Sequence, residues 1–125
     1  MLTYDVDGAI LILTATGTVS AIERQDTFAA IASDPRVPRG ALVLVDARRT
    51  DPAVTLAEVE ERAHRLVHFL GPKLGGFCAV IAPPRLTGDV EHFRAASGEM
   101  GLRVEVFSDE PAARKWLATL ARQGG

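Results

Sequence analysis

Apolar and polar residues along the chain follow two periods, and these divide it into nine segments. Leu2–Val6 alternates, with Leu2, Tyr4 and Val6 on one side and Thr3 and Asp5 on the other, which predicts a half-exposed strand. Asp7-Gly8 is a hairpin signal. Ala9–Ala15, Ala41–Val45 and Phe77–Ala82 are apolar on both faces, as strands in a sheet interior are. Leu102, Val104 and Val106 alternate with Arg103 and Glu105 and predict a second half-exposed strand.

Helical spacing fills the intervals. Ser20 and Glu23 form a capping box before a helix from Ala21 to about Ser33, whose inner face reads as Ala21, Phe28, Ala29 and Ala32, with Ile22 and Ile31 at its margins. Asp34-Pro35 stops it. Thr55 and Glu58 form a second capping box, followed by Leu56, Val59, Ala63, Leu66, Val67 and Leu70 at helical spacing. Leu86, Val90, Phe93, Ala96 and Met100 mark a third helix. Ala113, Trp116, Leu117 and Leu120 mark a fourth, capped by Ser108 or Asp109. The order is ββαβαβαβα in a single domain, residues 1–125. It predicts an α/β fold with one mixed, mostly parallel five-stranded sheet and the half-exposed strands at its edges.

Composition narrows the function classes. A chain with 47% hydrophobic and 24% charged residues is that of an ordinary globular domain. The net charge of -2 and the dispersed basic residues give no drive toward nucleic acid. No apolar run is long enough to insert in a membrane. The start, MLTYDVDGA, lacks the pattern of a signal peptide, so a cytoplasmic location is expected. The lone Cys78 sits in an apolar run and reads as a small buried hydrophobe.

Candidate chemistry is sparse. The polar loop expected at Ala47–Val54, after the strand ending in Asp46, sits at the C-terminal rim of the sheet, where open α/β sheets meet ligands. Asp46, Arg48, Arg49, Thr50 and the helix start at Thr55 are the candidate rim residues. Guanidinium groups there match carboxylate or phosphate; the plainer reading is a solvated loop in which Asp46 or Asp51 pairs with an arginine. Thr55 is explained by its capping role. His64 and His68 stand four apart on a helix, but no further ligand set accompanies them, so no metal site is expected. GPKLGG at Gly71–Gly76 precedes a strand and lacks the phosphate-loop pattern. No nucleophile triad and no G-x-S-x-G motif stands out, so neither an enzyme nor a cofactor is expected.

The element order, together with LVDAR at Leu44–Arg48, AVIAP at Ala79–Pro83, VEVF at Val104–Phe107 and the closing A-x-x-W-L at Ala113–Leu117, resembles the SpoIIAA-like family, which takes in STAS domains and CRAL-TRIO lipid carriers. The resemblance covers nearly the whole chain. It implies a β-α superhelix and a regulatory or protein-binding module, or alternatively a small domain for an apolar, lipid-like ligand. In the anti-sigma-factor antagonists of that family a Ser follows the Asp at the end of the third strand and is phosphorylated. Here Ala47 follows Asp46, so no such switch is expected.

Right-handed crossovers between neighbouring parallel strands taken in sequence are expected to put every helix on the same side of the sheet. The far face of the double-sided strands then needs cover. A second copy of the chain in a two-fold dimer is the first expectation, and a lipid-like ligand the second. Sheet curvature, or a helix packed on that side, is the single-chain alternative.

Overall fold

The computed structural model describes residues 1–53 and 55–124, the last three by backbone alone. The elements are β1 (Leu2–Asp7), β2 (Ile10–Gly17), α1 (Ala21–Ala32), β3 (Ala41–Thr50), α2 (Leu56–Leu70), β4 (Leu74–Ile81), α3 (Thr87–Glu99), β5 (Arg103–Phe107) and α4 (Glu110–Gly124). Short 3-10 turns at Gly71–Lys73 and Pro84–Leu86 precede β4 and α3.

Strand order in the sheet is β1-β2-β3-β4-β5. β1 pairs antiparallel with β2, and every other pairing is parallel. The half-exposed strands are thus the edges, and the double-sided ones lie inside. Because successive strands are neighbours, α1, α2 and α3 gather on one face. There Leu11, Leu13, Val43, Cys78, Val80 and Val104 pack against Phe28, Ile31, Leu66, Leu70, Leu86 and Val90.

The opposite face is covered by α4. No strand follows this helix, so no crossover rule ties it to the side of the others. Ala113 and Leu117 are fully buried against Leu42, Leu44, Ala79 and Ile81. Trp116 meets Phe77 edge-on, with centroids 6.2 Å apart, and lies tilted against Phe107 at 5.8 Å. Ion pairs strap the start of the helix down. Arg114 holds Asp7 at 2.9 Å and Glu110 at 3.0 Å, and Arg48 reaches Glu110 at 3.7 Å. The apolar face for which a second copy was the first expectation is therefore closed within one chain. Beyond α4 that face carries Thr3, Asp5 and Thr14, set among Ile10 and Ile12 by the β1–β2 register.

Two further expectations are corrected. The inner stripe of α1 is Phe28 and Ile31, with Arg24 and Thr27 half-buried beside them, while Ala21, Ala29 and Ala32 are exposed. Phe and Ile carry more apolar area than any alanine, so the helix turns to bury them. The loop expected at Ala47–Val54 is strand through Thr50. Past a register shift between Thr14 and Thr16, β2 still pairs with it, Thr16 opposite Arg49 and Gly17 opposite Thr50. Val54 lies outside the described residues.

Candidate ligand-binding site

The C-terminal ends of β2, β3 and β4 and the N-terminal ends of α1, α2 and α3 share one rim. β3 outruns β4, whose last paired residue is Ile81, opposite Asp46. The carbonyls left open on that side of β3 are taken by Arg85, whose Nη2 donates to Thr50 O at 2.9 Å and Arg48 O at 3.2 Å. A side chain thus does for the overhang what β4 does for the rest of the strand.

The structure divides the five rim residues expected from sequence. Asp46 and Arg48 project to the α4 side and satisfy each other. Arg48 Nε and Nη2 donate to the two Asp46 oxygens at 3.0 and 2.8 Å. Those hydrogen bonds hold the Asp46 carboxyl below its ordinary range. Arg49 is exposed and makes no side-chain hydrogen bond or ion pair with the described residues. Thr50 Oγ1 donates to Gly17 O at 3.1 Å, and Thr55 Oγ1 accepts from Glu58 N at 3.2 Å as the cap of α2. Of the five, Thr50 lines the cavity beneath the rim and the other four do not.

That cavity, of about 160 Å³, lies between the sheet and the α1–α3 layer. Its body is apolar, walled by Leu13, Val45, Val80, Phe28, Leu66 and Phe93. It exists because the strand ends carry small residues. Ala15 and Ala47 line it where larger side chains would fill it. Ala47, standing where the family resemblance would put a phosphorylated serine, is a buried methyl group on this wall.

The cavity opens at the rim, among four charged side chains: Arg24, Asp51, Arg62 and Asp89. Each carboxylate already has a donor. Asp51 Oδ2 accepts from Thr18 Oγ1 at 2.8 Å, and Asp89 Oδ2 accepts from Ala53 N at 2.7 Å. The arginines are less well served. Arg24 Nη2 donates to Val19 O at 3.3 Å. Arg62 Nε is buried and has no hydrogen-bond partner among the described residues. Burial, and next the charge of Arg62, lower the pKa of Arg24. Neither arginine entered the sequence reading, although both were visible there as cations on an apolar stripe. Arg24 falls one turn before Phe28, and Arg62 lies between Val59 and Leu66.

Elsewhere, His64 and His68 are exposed, and His92 Nε2 lies 3.0 Å from Glu60 Oε1. No group of three or more His, Cys, Asp or Glu among the described residues is placed to hold a metal ion. No helix among them is long and apolar enough to cross a membrane. Cys78 is buried, and burial pushes its thiol up to about 12.

No family model matches the sequence, and no curated protein matches it. Among solved structures, the chain is similar to an uncharacterized DUF3478-family protein from Shewanella loihica PV-4, described as having a SpoIIAA-like fold. The TM-score is 0.63 at 16% identity, over 94% of this chain and 92% of that one. With its single five-stranded mixed sheet, its three helices on one face and its order β1-β2-β3-β4-β5, this chain has a SpoIIAA-like fold.

Proposed function

We propose that this SpoIIAA-like domain is a non-catalytic module that binds a small apolar ligand in the cavity between its sheet and the α1–α3 layer. The observation that carries the reading is the cavity itself, an apolar chamber with its polar groups gathered at one mouth, as ligand sites are built. At about 160 Å³ it falls short of the roughly 300–1,000 Å³ of a drug-sized site. It is close to the roughly 150 Å³ apolar cavity known to take benzene. The ligand is therefore a single ring, or a chain of similar bulk, and a whole lipid is too large. Filling the cavity tests this. Ala47→Leu adds three carbons to the cavity wall. Native mass spectrometry should find a small adduct on the wild type, or uptake of added benzyl alcohol, and neither on the variant. Equal binding by both proteins would put the ligand elsewhere.

Exposed apolar side chains favour a second role for the same rim, the docking of a protein partner. Ile22 and Leu56, in the first turns of α1 and α2, are 72% and 59% exposed, and Arg49 on β3 is exposed too. Ile22→Asp with Leu56→Asp should then release partners that the wild type retains in a pull-down. Retention by the double variant would remove this role.

A further inference from the structure

We infer that Arg24 and Arg62 make the cavity a site for a small monocarboxylate, its apolar body enclosed and its carboxylate held by the two guanidinium groups. The inference rests on the cavity being a ligand site and adds the chemistry of its mouth. Four ionised groups line that mouth, and their hydrogen-bond accounts differ. Asp51 and Asp89 accept from Thr18 and from the Ala53 N–H, so neither needs a cationic ligand. The unmet capacity is on the donor side. An arginine has five N–H donors and no acceptor. Arg62 makes no ion pair with any described residue, and its buried Nε has nothing to donate to. Arg24 gives one long bond to Val19 O. A buried donor without an acceptor is costly, and natural structures seldom keep one without a use.

Placement agrees with this account. Each arginine sits on the inward stripe of its helix, where an apolar residue would pack better, and Arg62 stands close enough to disfavour the charge of Arg24. Glu58 and Glu61 offset part of that repulsion and Arg65 adds to it. An anion between the guanidinium groups would relieve it and supply the missing acceptor, with the planar, two-toothed geometry that guanidinium offers a carboxylate. Arginine alone would also suit phosphate. The neighbouring carboxylates of Asp51 and Asp89 disfavour a dianion more than a monoanion. Cavity size sets the body at about one ring, which makes benzoate the natural probe.

The experiment compares benzoate with benzyl alcohol by calorimetric or NMR titration of the intact chain. Charge-assisted bonds to the carboxylate should make benzoate about 10- to 100-fold the tighter ligand. Arg62→Met and Arg24→Met should each cut the preference sharply, costing benzoate much more affinity than benzyl alcohol. Equal affinity of the two probes for the wild type would overturn the carboxylate assignment and leave the cavity as an apolar site. Binding of neither would overturn both. An undiminished preference in both variants would remove the arginines from the site. Loss of both probes by a variant with wild-type circular dichroism would make its arginine a structural prop. Phenyl phosphate binding tighter than benzoate would overturn the choice of a monoanion.

Discussion

Replacing Arg62 by methionine should stabilise the ligand-free protein. Arg62 Nε is buried without a partner, and the side chain makes no ion pair that would offset it. An unsatisfied buried donor costs about 1–3 kcal/mol. The outer guanidinium nitrogens are not among the buried orphan atoms, so the lower end of that range applies. Methionine keeps an unbranched apolar stem against α1 and the sheet, so little packing is lost. It also removes the like charge that disfavours ionisation of Arg24. The expected gain is about 1 kcal/mol. At about 2.1 cal/mol/K per residue, a chain of 125 residues unfolds with an entropy of roughly 0.26 kcal/mol/K near 60 °C, so Tm should rise by about 4 °C. Calorimetry reads this directly. Urea titration should show the same gain as a higher midpoint at unchanged slope. A fall in Tm at unchanged slope would refute the reasoning, because it would mean that the guanidinium holds the helix layer together. A site residue that weakens the empty fold would be a trade of stability for binding, as functional sites often are.

Three other outcomes follow from the packing and the charge network. Leu117→Ala, in the fully buried stripe of α4, should cost about 2–5 kcal/mol, read by urea unfolding, and a loss below about 1 kcal/mol would mean that α4 does not close the far face. Asp34 accepts from Arg36 Nε and Nη2 and from Tyr4 OH, and the Arg36 bonds hold its pKa well below the ordinary carboxylate range. Its contribution is therefore complete above the unfolded value of about 3.9 and is lost as pH falls toward the lower folded value. Asp34→Asn should be less stable than wild type at pH 7, with the gap closing in acid; a pH-independent gap across an acid unfolding series would contradict this. Cys78, with its thiol pushed up to about 12 by burial, should react with a thiol reagent at pH 8 only as fast as the protein opens, and rapid labelling of the native chain would contradict its burial.

Much of the fold was legible because local and long-range preferences agree. The capping pairs Ser20–Glu23 and Thr55–Glu58 start α1 and α2, each through a side-chain oxygen accepting the N–H three residues on. Asp109 does the same for α4 through Ala112 N. Alternation at Leu2–Val6 and Leu102–Val106 marked the two edge strands. What was not legible depends on partners distant in sequence. Arg48-Arg49-Thr50 reads as loop by composition, and it is strand because Thr16 and Gly17 pair with it and Arg85 caps its open carbonyls. The expected inner face of α1 set Ala21, Ala29 and Ala32 beside Phe28, but the helix buries Ile31 with Phe28 and leaves those alanines exposed, because the larger side chain prevails. The side taken by α4 is not encoded in its own amphipathic stripe, which would suit either face of the sheet. It follows from the free apolar face of β3 and β4 and from the Asp7–Arg114–Glu110–Arg48 ion pairs.

The site was the least legible part. The proposed cavity opens at the same rim that the strand ends mark, but the densest polar run there is Asp46, Arg48 and Arg49. The structure turns Asp46 and Arg48 toward α4, where they neutralise each other. The groups at the cavity mouth come from α1, from the residue just past β3, and from α2 and α3, and no contiguous motif brings them together. The available signal was a single cation on each of two apolar stripes, Arg24 and Arg62, and it has meaning only once the stripes are known to face one chamber.

Methyl-detected NMR during a benzoate titration tests the central claim most directly. If the cavity is the binding site, saturable shifts should appear at Leu13, Leu66 and Val80, which wall it, while Leu44 and Leu117 under α4 stay unmoved. Shifts confined to the α4 side, or none that saturate, would contradict the assignment of this cavity as a ligand site.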